Sequence, residues 1–427
     1  MAAQACAACE KPGAGLRCGL CKSVLYCGQG CQRKHWREHK PECTRISTPP
    51  PPFVEAVAVD TRGAAGWAHF RIACRDYLAV ANFFTSAPRR QPSMETESAV
   101  YGITGASEDG LKLFELQRFA TVGAHGVVHF AHEDRDYLAV PNYYGGDSVV
   151  LRWEERQGED TTSWSFYCKF FELQRIKSDG AGNITACKLD GKQMLGIAEF
   201  NVGVAAIYAL EGETFAPWQR VAAPGVGALT TLTVGSDFLL IGASYVTQRT
   251  GWHTHSPVFA LDSQRTQFQA HHSLPTVGAH GVAVATVAGR HFLFISNDKD
   301  ERSTCQNSEL FEWKADRFES RQQVKTDGAH AANFFWAPDG KRLFLAVANL
   351  GDRQAGTYCR DSAVFALDPD AAAPLRLVQR LPTRGATDFC GFVVQGVTFL
   401  AVSNEQDDTL GGDIESKIWA LRADRLT

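Results

Sequence analysis

The chain has 427 residues, 44% of them hydrophobic and 21% charged, which is typical of a globular protein long enough for two or more domains. Its formal net charge of −4 argues against a surface built to bind nucleic acid or an anionic membrane. The sequence has no apolar run long enough to span a membrane, and its first residues lack the pattern of a signal peptide, so we expect a cytoplasmic or nuclear protein.

The N-terminal residues carry a high density of metal-binding side chains. Seven of the thirteen cysteines lie between residues 6 and 43, in closely spaced pairs that end with a His-x3-Cys pair. The eight donors are Cys6, Cys9, Cys18, Cys21, Cys27, Cys31, His39 and Cys43. Eight soft ligands in four pairs suffice for two closed tetrahedral sites, so the spacing predicts a structural segment that binds two Zn²⁺ ions.

A helix is predicted at the end of this segment. Residues 32–40 contain good helix formers and neither Gly nor Pro, and Pro41 is expected to end the helix. His39 and Cys43 then lie at positions i and i+4 on one face. His35, one turn earlier on that face, is the rival ligand to His39.

These spacings, together with Tyr26, Gln32 and Trp36, make residues 6–43 closely resemble the MYND zinc finger. The resemblance implies two interleaved ions, one bound by Cys6, Cys9, Cys27 and Cys31 and the other by Cys18, Cys21, His39 and Cys43. MYND fingers bind short proline-rich peptides, and Gln32 and Trp36 stand at the positions that would line the groove. Packing support for the helix is the alternative role for Trp36.

A proline-rich stretch follows the finger. Residues 45–52 include four consecutive prolines, which predict a stiff polyproline spacer between a finger at residues 1–44 and a second domain at residues 53–427. Folding of these prolines back into the finger's own peptide groove is the alternative.

The remainder of the chain repeats one unit seven times at a pitch of about fifty residues. One signature is an apolar strand typified by YLAVAN, which starts at Tyr77 in the first copy. Five of the seven copies end in asparagine, namely Asn82, Asn142, Asn297, Asn349 and Asn404. We interpret these asparagines as turn formers whose side chains bond to the backbone of their own loops.

Each unit contains three further strand-like elements. A glycine-alanine element precedes YLAVAN, an element such as SAVFAL follows it, and in the last element an apolar residue stands four positions before a mostly polar one. Four strands repeated seven times predict an all-β fold, a seven-bladed β-propeller. The final copy lacks its fourth strand, so we expect residues 53–59 to pair beside SKIWAL and close the ring. The units also resemble EAR, or EPTP, repeats, which form seven-bladed propellers.

One end of the predicted ring is the candidate binding face. The glycine-alanine elements and the asparagines meet at this end, where loops of variable length follow. His125, His280 and His330 occupy one equivalent position at its mouth, but we expect His125 to lie too far across the ring to share a metal with the other two. At the position that follows, only Asp388 offers a carboxylate, which argues against a calcium-filled channel.

These patterns predict a zinc-binding adaptor for protein–protein interactions and not an enzyme. The finger would bind proline-rich peptides, and the propeller face would bind a second partner. The alternative is an enzyme with its active site in the central funnel, although the sequence shows no familiar catalytic fingerprint. A third possibility, nucleic-acid binding by the finger, predicts a steep dependence on salt.

Overall fold

The structure, a computed structural model, describes residues 5–47, 50–86, 91–157, 166–409 and 411–426. The chain divides into two compact units, Met1–Pro52 with Arg422–Thr427, and Phe53–Leu421. The final residues, which include a 3-10 helix at Ala423–Arg425, group with the N-terminal unit.

The finger consists of a two-stranded sheet and one helix. The strands are β1 (Leu16–Arg17) and β2 (Leu25–Tyr26), and α1 spans Gln29–Ser47. The prediction that the helix ends at Pro41 is wrong, because α1 continues through it. A proline inside a helix loses one backbone hydrogen bond. Continuation through Pro41 keeps His39 and Cys43 one turn apart on the same face, where both reach one donor cluster.

The predicted proline spacer is shortened by this longer helix. Residues 45–47 belong to α1, so the first part of the 45–52 segment is helical. Residues 48 and 49, which include the first of the four prolines, lie outside the described residues.

The second unit is a seven-bladed β-propeller made of four-stranded antiparallel sheets. It begins with β3 (Phe53–Arg62). Blade one contains β4 (Ala64–Ile72), β5 (Arg75–Asn82), β6 (Glu95–Ser107) and β7 (Gly110–Val122), and blade two contains β8 (Val128–His132), β9 (Arg135–Val140), β10 (Asp147–Gln157) and β11 (Phe166–Lys177). Blade three contains β12 (Ala181–Leu189), β13 (Lys192–Glu199), β14 (Val204–Glu211) and β15 (Thr214–Ala222), and blade four contains β16 (Val226–Val234), β17 (Asp237–Ser244), β18 (His253–Leu261) and β19 (Phe268–Val277). Blade five contains β20 (Ala279–Val287), β21 (Arg290–Asn297), β22 (Asn307–Lys314) and β23 (Arg317–Lys325), and blade six contains β24 (Ala329–Trp336), β25 (Leu343–Asn349), β26 (Cys359–Leu367) and β27 (Leu375–Arg384).

The seventh blade closes the ring with a strand from the start of the unit. It contains β28 (Ala386–Val394), β29 (Val397–Asn404) and β30 (Asp413–Leu421), and β3 pairs with β30 as its outermost strand. Phe53 lies opposite Leu421, and Val57 lies opposite Ile418. This pairing confirms the predicted closure, which leaves neither strand with an open edge on that side.

The first strand of each blade faces the central axis, and apolar side chains fill the space between blades. Phe70, Leu138 and Phe170, for example, belong to one buried cluster shared by the first two blades. The glycine that precedes each inner strand is needed for its backbone: Gly278 has a φ of 55°, and a Cβ there would lie 2.1 Å from the carbonyl oxygen of Lys299.

A series of side-chain amides connects the outer strands of neighbouring blades. The Nε2 group of Gln117 donates to the carbonyl oxygen of Phe170 at 2.6 Å, and the N–H of Phe170 donates back to Oε1 of Gln117 at 2.8 Å. The same two-bond contact joins Gln174 to Phe215, Gln219 to Phe268, Gln322 to Leu375, and Gln379 to Phe53. In the fourth strand of a blade, the backbone of the apolar residue bonds to the glutamine of the preceding blade, and the glutamine four positions later bonds to the next blade. These two contacts explain the four-residue spacing of the fourth repeated element.

The repeated asparagines also link blades. Oδ1 of Asn82 accepts a hydrogen bond from the N–H of Arg62 in the preceding blade, and its Nδ2 group donates to the carbonyl oxygen of Glu97 at 2.7 Å. Asn142, Asn297, Asn349 and Asn404 make equivalent pairs of bonds. The predicted bond to the backbone of the asparagine's own loop is therefore present, and the bond to the preceding blade is an additional one that was not predicted.

Candidate functional sites in the finger and the propeller funnel

The structure gathers the eight donors of the finger into two groups of four. One group contains Cys6, Cys9, Cys27 and Cys31, and the other contains Cys18, Cys21, His39 and Cys43. His35 belongs to neither group, since its Nδ1 atom lies 3.1 Å from the hydroxyl oxygen of Tyr26. The two groups are those that the family resemblance implies.

The donor distances in both groups fit a tetrahedral zinc ion. The Sγ atom of Cys9 lies 3.6 Å from that of Cys27 and 3.8 Å from that of Cys31. In the other group, Sγ of Cys21 lies 3.4 Å from Nε2 of His39. A tetrahedral site with Zn–S bonds of about 2.3 Å has S–S edges of about 3.8 Å and S–N edges of about 3.6 Å. Each group thus has the size and the soft donors that suit Zn²⁺.

The thiols within one group have opposite tendencies to ionise. Burial opposes ionisation of Cys6, but hydrogen bonds from the backbone N–H groups of Ala8 and Cys27 outweigh it and lower the pKa of Cys6 to about 6. Contacts with the sulfurs of Cys9 and Cys6 raise the pKa of Cys27 to about 12. A thiolate beside another thiolate is repelled, and a divalent cation between them removes that repulsion.

Gln32 and Trp36 lie one turn apart on α1, beside the second donor group. The Nε2 group of Gln32 lies 3.8 Å from Sγ of Cys18, and the ring of Trp36 meets the ring of His39 edge-on at 6.1 Å. Trp36 also packs against the small buried core that contains Tyr26. Since both Gln32 and Trp36 remain half-buried, each supports the finger and still presents a surface to solvent.

The three funnel histidines, His125, His280 and His330, converge on the propeller axis. One ring nitrogen from each lies within 4.8 Å of the other two, so the prediction that His125 is too distant is wrong. The inner strands approach more closely than we expected: a Cβ on Gly281 would lie 2.6 Å from the carbonyl oxygen of His330. In the sequence, a glycine directly follows both His125 and His280, and these small residues are the signal for a narrow bore.

The funnel histidines separate two cavities on the axis. The upper cavity, of about 190 Å³, is walled by Phe83, Tyr143, Phe200, Tyr245 and Arg353. The lower cavity, of about 130 Å³, reaches Asp388, whose pKa is raised to about 7 by burial. His125 and His280 line both cavities, so these side chains are reached from either direction.

Charged groups at the rim of the upper cavity are paired with one another. The hydroxyl group of Tyr245 donates to Oδ2 of Asp298 at 2.9 Å, and Nη2 of Arg353 lies 2.9 Å from Oε2 of Glu405. Burial raises the pKa of Asp298 to about 6. Sequence reasoning missed these residues. The available signal was their position, because Asp298 and Glu405 directly follow the repeated asparagines Asn297 and Asn404. Phe83 and Tyr143 occupy the same position in earlier repeats.

Within the described residues, no helix combines the length and apolar character needed to cross a bilayer.

The comparisons with known proteins divide at the same place as the structure. Residues 6–43 match the family model described as MYND finger. A 45-residue segment is 44% identical to Deformed epidermal autoregulatory factor 1 of Drosophila melanogaster, over 10% of this chain and 8% of that protein.

The propeller has different relatives. A segment of 151 residues is 28% identical to the mouse thrombospondin-type laminin G domain and EAR repeat-containing protein, over 35% of this chain and 21% of that protein. The chain therefore matches only about a fifth of that relative's length. The periplasmic gluconolactonase PpgL of Pseudomonas aeruginosa has a similar fold, with a TM-score of 0.51 and 19% identity over 76% of this chain and 94% of that one.

The fold and the donor groups define a protein with a small cysteine-rich zinc-finger module and a seven-bladed propeller. More particularly, the finger is of the MYND type and the propeller is related to EAR-repeat proteins. Both are modules that generally mediate interactions between proteins, so the chain has the domain arrangement of a protein-interaction molecule.

Proposed function

We propose that this protein is an adaptor whose finger holds two Zn²⁺ ions and binds proline-rich peptides, while the propeller face that surrounds the funnel binds a second protein. The observation that carries the peptide proposal is the pair Gln32 and Trp36, which are half-buried and adjacent on α1. A flat indole surface suits the extended, preformed polyproline II conformation. The Gln32 amide beside it offers both a donor and an acceptor for peptide backbone.

The proposed zinc ions would hold that surface in place. The donor groups contain seven thiols and one imidazole, with edge lengths suited to tetrahedral zinc. Because His39 and Cys43 fix α1 to the second group, they also fix the positions of Gln32 and Trp36 on the same helix. Soft thiolate ligands persist in reducing compartments, which supports the proposal of a cytoplasmic or nuclear location.

Peptide binding is tested with the full-length protein on an array of proline-rich peptides, followed by titration of the tightest peptide. We expect Trp36→Ala to weaken binding by about tenfold or more, since aromatic anchors dominate such interfaces. Trp36→Leu keeps apolar packing against the finger but removes the flat ring, and we expect it to weaken binding almost as much. Zinc content is measured for each variant, because Trp36 contacts His39.

Lys34→Ala is the matched control, because Lys34 is an exposed side chain on the same helix. It should leave peptide affinity unchanged. Normal affinity in a zinc-loaded Trp36→Leu protein would contradict the proposed groove. Binding of nucleic acid that weakens steeply with salt and with Lys34→Ala would instead favour the nucleic-acid alternative.

The proposed second binding face surrounds the funnel. Tyr144 and Val202 follow the second strands of their blades at this end, and they are 44% and 48% exposed. Large apolar side chains on loops held by a rigid ring are suited to contact another protein. We expect a Tyr144→Ser, Val202→Ser double variant to lose the partner of the propeller while keeping peptide binding by the finger.

An enzyme with its active site in the funnel remains the second candidate. The convergence of His125, His280 and His330 favours it, because histidines at a cavity mouth are common catalytic groups. We prefer the adaptor because the nearby acids already have partners, Asp298 with Tyr245 and Glu405 with Arg353. Turnover of a small molecule that is abolished by Arg353→Ala would reverse this preference.

A further inference from the structure

We propose that the three funnel histidines form a third metal site, which binds a divalent transition-metal ion such as Zn²⁺ and leaves one coordination position open to water on the propeller axis. This site lies in the propeller and is distinct from both donor groups of the finger. It does not depend on the proposal that the finger binds peptides.

Two of the funnel histidines are oriented as metal ligands usually are. Nδ1 of His125 lies 2.8 Å from the carbonyl oxygen of Gly182, and Nδ1 of His330 lies 2.8 Å from the carbonyl oxygen of Thr387. A carbonyl oxygen only accepts, so each Nδ1 carries the proton and each Nε2 presents its lone pair. A hydrogen bond from the second ring nitrogen to a backbone carbonyl is the common support of a metal-bound histidine.

The Nε2 atom of His330 gives an independent indication of a missing ligand. His330 is 3% exposed, and its Nε2 atom is buried without a hydrogen-bond partner. Leaving a buried acceptor unpaired is unfavourable. A metal ion among the three rings would satisfy this lone pair, together with the lone pairs of His125 and His280.

The distances allow such an ion after a small movement of side chains. The donor nitrogens lie within 4.8 Å of one another, whereas a tetrahedral site with Zn–N bonds of about 2.0 Å needs N–N edges of about 3.3 Å. The rings of His280 and His330 are already close, with centroids 3.6 Å apart, so His125 has most of the movement to make. Its ring centroid lies 5.7 Å from that of His280 and 5.6 Å from that of His330.

The chemistry of the site selects the kind of ion. Three imidazole nitrogen donors favour Zn²⁺ and similar transition metals over Ca²⁺ and Mg²⁺, which prefer oxygen. All three histidines line the lower cavity, and His125 and His280 also line the upper one, so water in these cavities could supply the remaining ligand.

The test measures metal content of the full-length protein after loading with Zn²⁺ and removal of excess ion. We expect three zinc ions per chain in the wild type and two in His125→Asn and His330→Asn. Asparagine places an amide nitrogen near the position of Nδ1, so it can keep the hydrogen bond to Gly182 or Thr387 while removing Nε2. His255→Asn is the control, because His255 is an exposed histidine elsewhere on the propeller that belongs to none of the donor groups found among the described residues, and it should retain all three ions.

Replacement of zinc by Co²⁺ separates this site from the finger. Cobalt bound to thiolates shows an intense sulfur-to-metal absorption that a site with only histidine ligands lacks. We expect His330→Asn to keep this absorption in full and to lose one equivalent of cobalt. In the wild type, addition of Zn²⁺ to chelated protein should also raise the melting temperature of the propeller, and it should not do so in the two asparagine variants.

Two zinc ions per wild-type chain, or equal metal content in the wild type and both asparagine variants, would overturn the third site. Should His330→Asn fail to fold, the partly exposed His125 and the zinc-dependent melting of the wild type still decide the matter. Loss of the thiolate absorption with retention of the histidine-bound ion would instead contradict the zinc proposal for the finger and leave the third site standing.

Discussion

The finger and the propeller are stabilised in opposite ways. The buried core of the finger consists of Cys6, Cys18, Tyr26 and Cys43, so three of its four members are also metal donors. The propeller core is built from phenylalanine, leucine and valine side chains shared between blades. The difference shows that the finger has little hydrophobic core apart from its metal sites, whereas the ring derives its stability from burial and from contacts between blades.

The largest expected effect follows from removing a metal donor of the finger. Cys18→Ser should unfold α1 while the propeller keeps its own unfolding transition, because a structural zinc site contributes on the order of 10 kcal/mol to the folding of so small a module. Circular dichroism would report the loss of helix. Cys305→Ser, which changes an exposed thiol outside both groups, is the control. An intact helix in a zinc-depleted Cys18→Ser protein would show that the finger, like the propeller, is stable without metal.

The next largest effect is expected at the closing strand. A truncation that removes residues 1–62 deletes β3, exposes the edge of β30 and loses the burial of Phe53, which is 1% exposed. Loss of such a phenylalanine alone costs about 3–5 kcal/mol, so the propeller should melt at a much lower temperature or fail to fold. A truncation of residues 1–47 keeps β3 and should melt like the full ring. Equal melting of the two truncations would show that β3 does not close the ring.

A smaller effect is expected at the amide contacts between blades. Gln322→Ala leaves the N–H and C=O groups of Leu375 without their partner and should reduce the free energy of unfolding by about 1–3 kcal/mol. The adjacent Gln323 is an exposed glutamine that bonds to Asn307 and Glu309 of its own blade, so Gln323→Ala is a matched control and should cost much less. Chemical denaturation of the two variants measures the difference. Equal losses would mean that the contact between blades adds nothing.

The sequence predicted the parts of the molecule that depend on local spacing. Repeated strand patterns led to seven blades, because pairing within six of them connects neighbouring segments, and the missing fourth strand of the last copy led to closure by residues 53–59. The eight donors of the finger were visible because tight turns and one helical turn set their spacing.

Features that depend on the curvature of the ring were not predicted. Whether His125 meets His330 depends on the width of the bore, which is set by glycines in several inner strands and not by any one segment. The partners of the glutamines are backbone groups of another blade, which carry no side-chain signal of their own. Pro41 misled the helix prediction because the requirement that Cys43 reach its cluster outweighed the loss of one hydrogen bond.

The pairing of β3 with β30 has a consequence for how the propeller is made during translation. The ribosome produces Phe53 near the beginning of the ring and its partner Leu421 at the very end, so the two meet only after hundreds of intervening residues have emerged. Until then, the nascent blades form an open arc whose two ends expose unpaired backbone. The pairing of β3 with β30 is therefore the last step of ring formation, and before it a chaperone or a second nascent chain would have access to both ends.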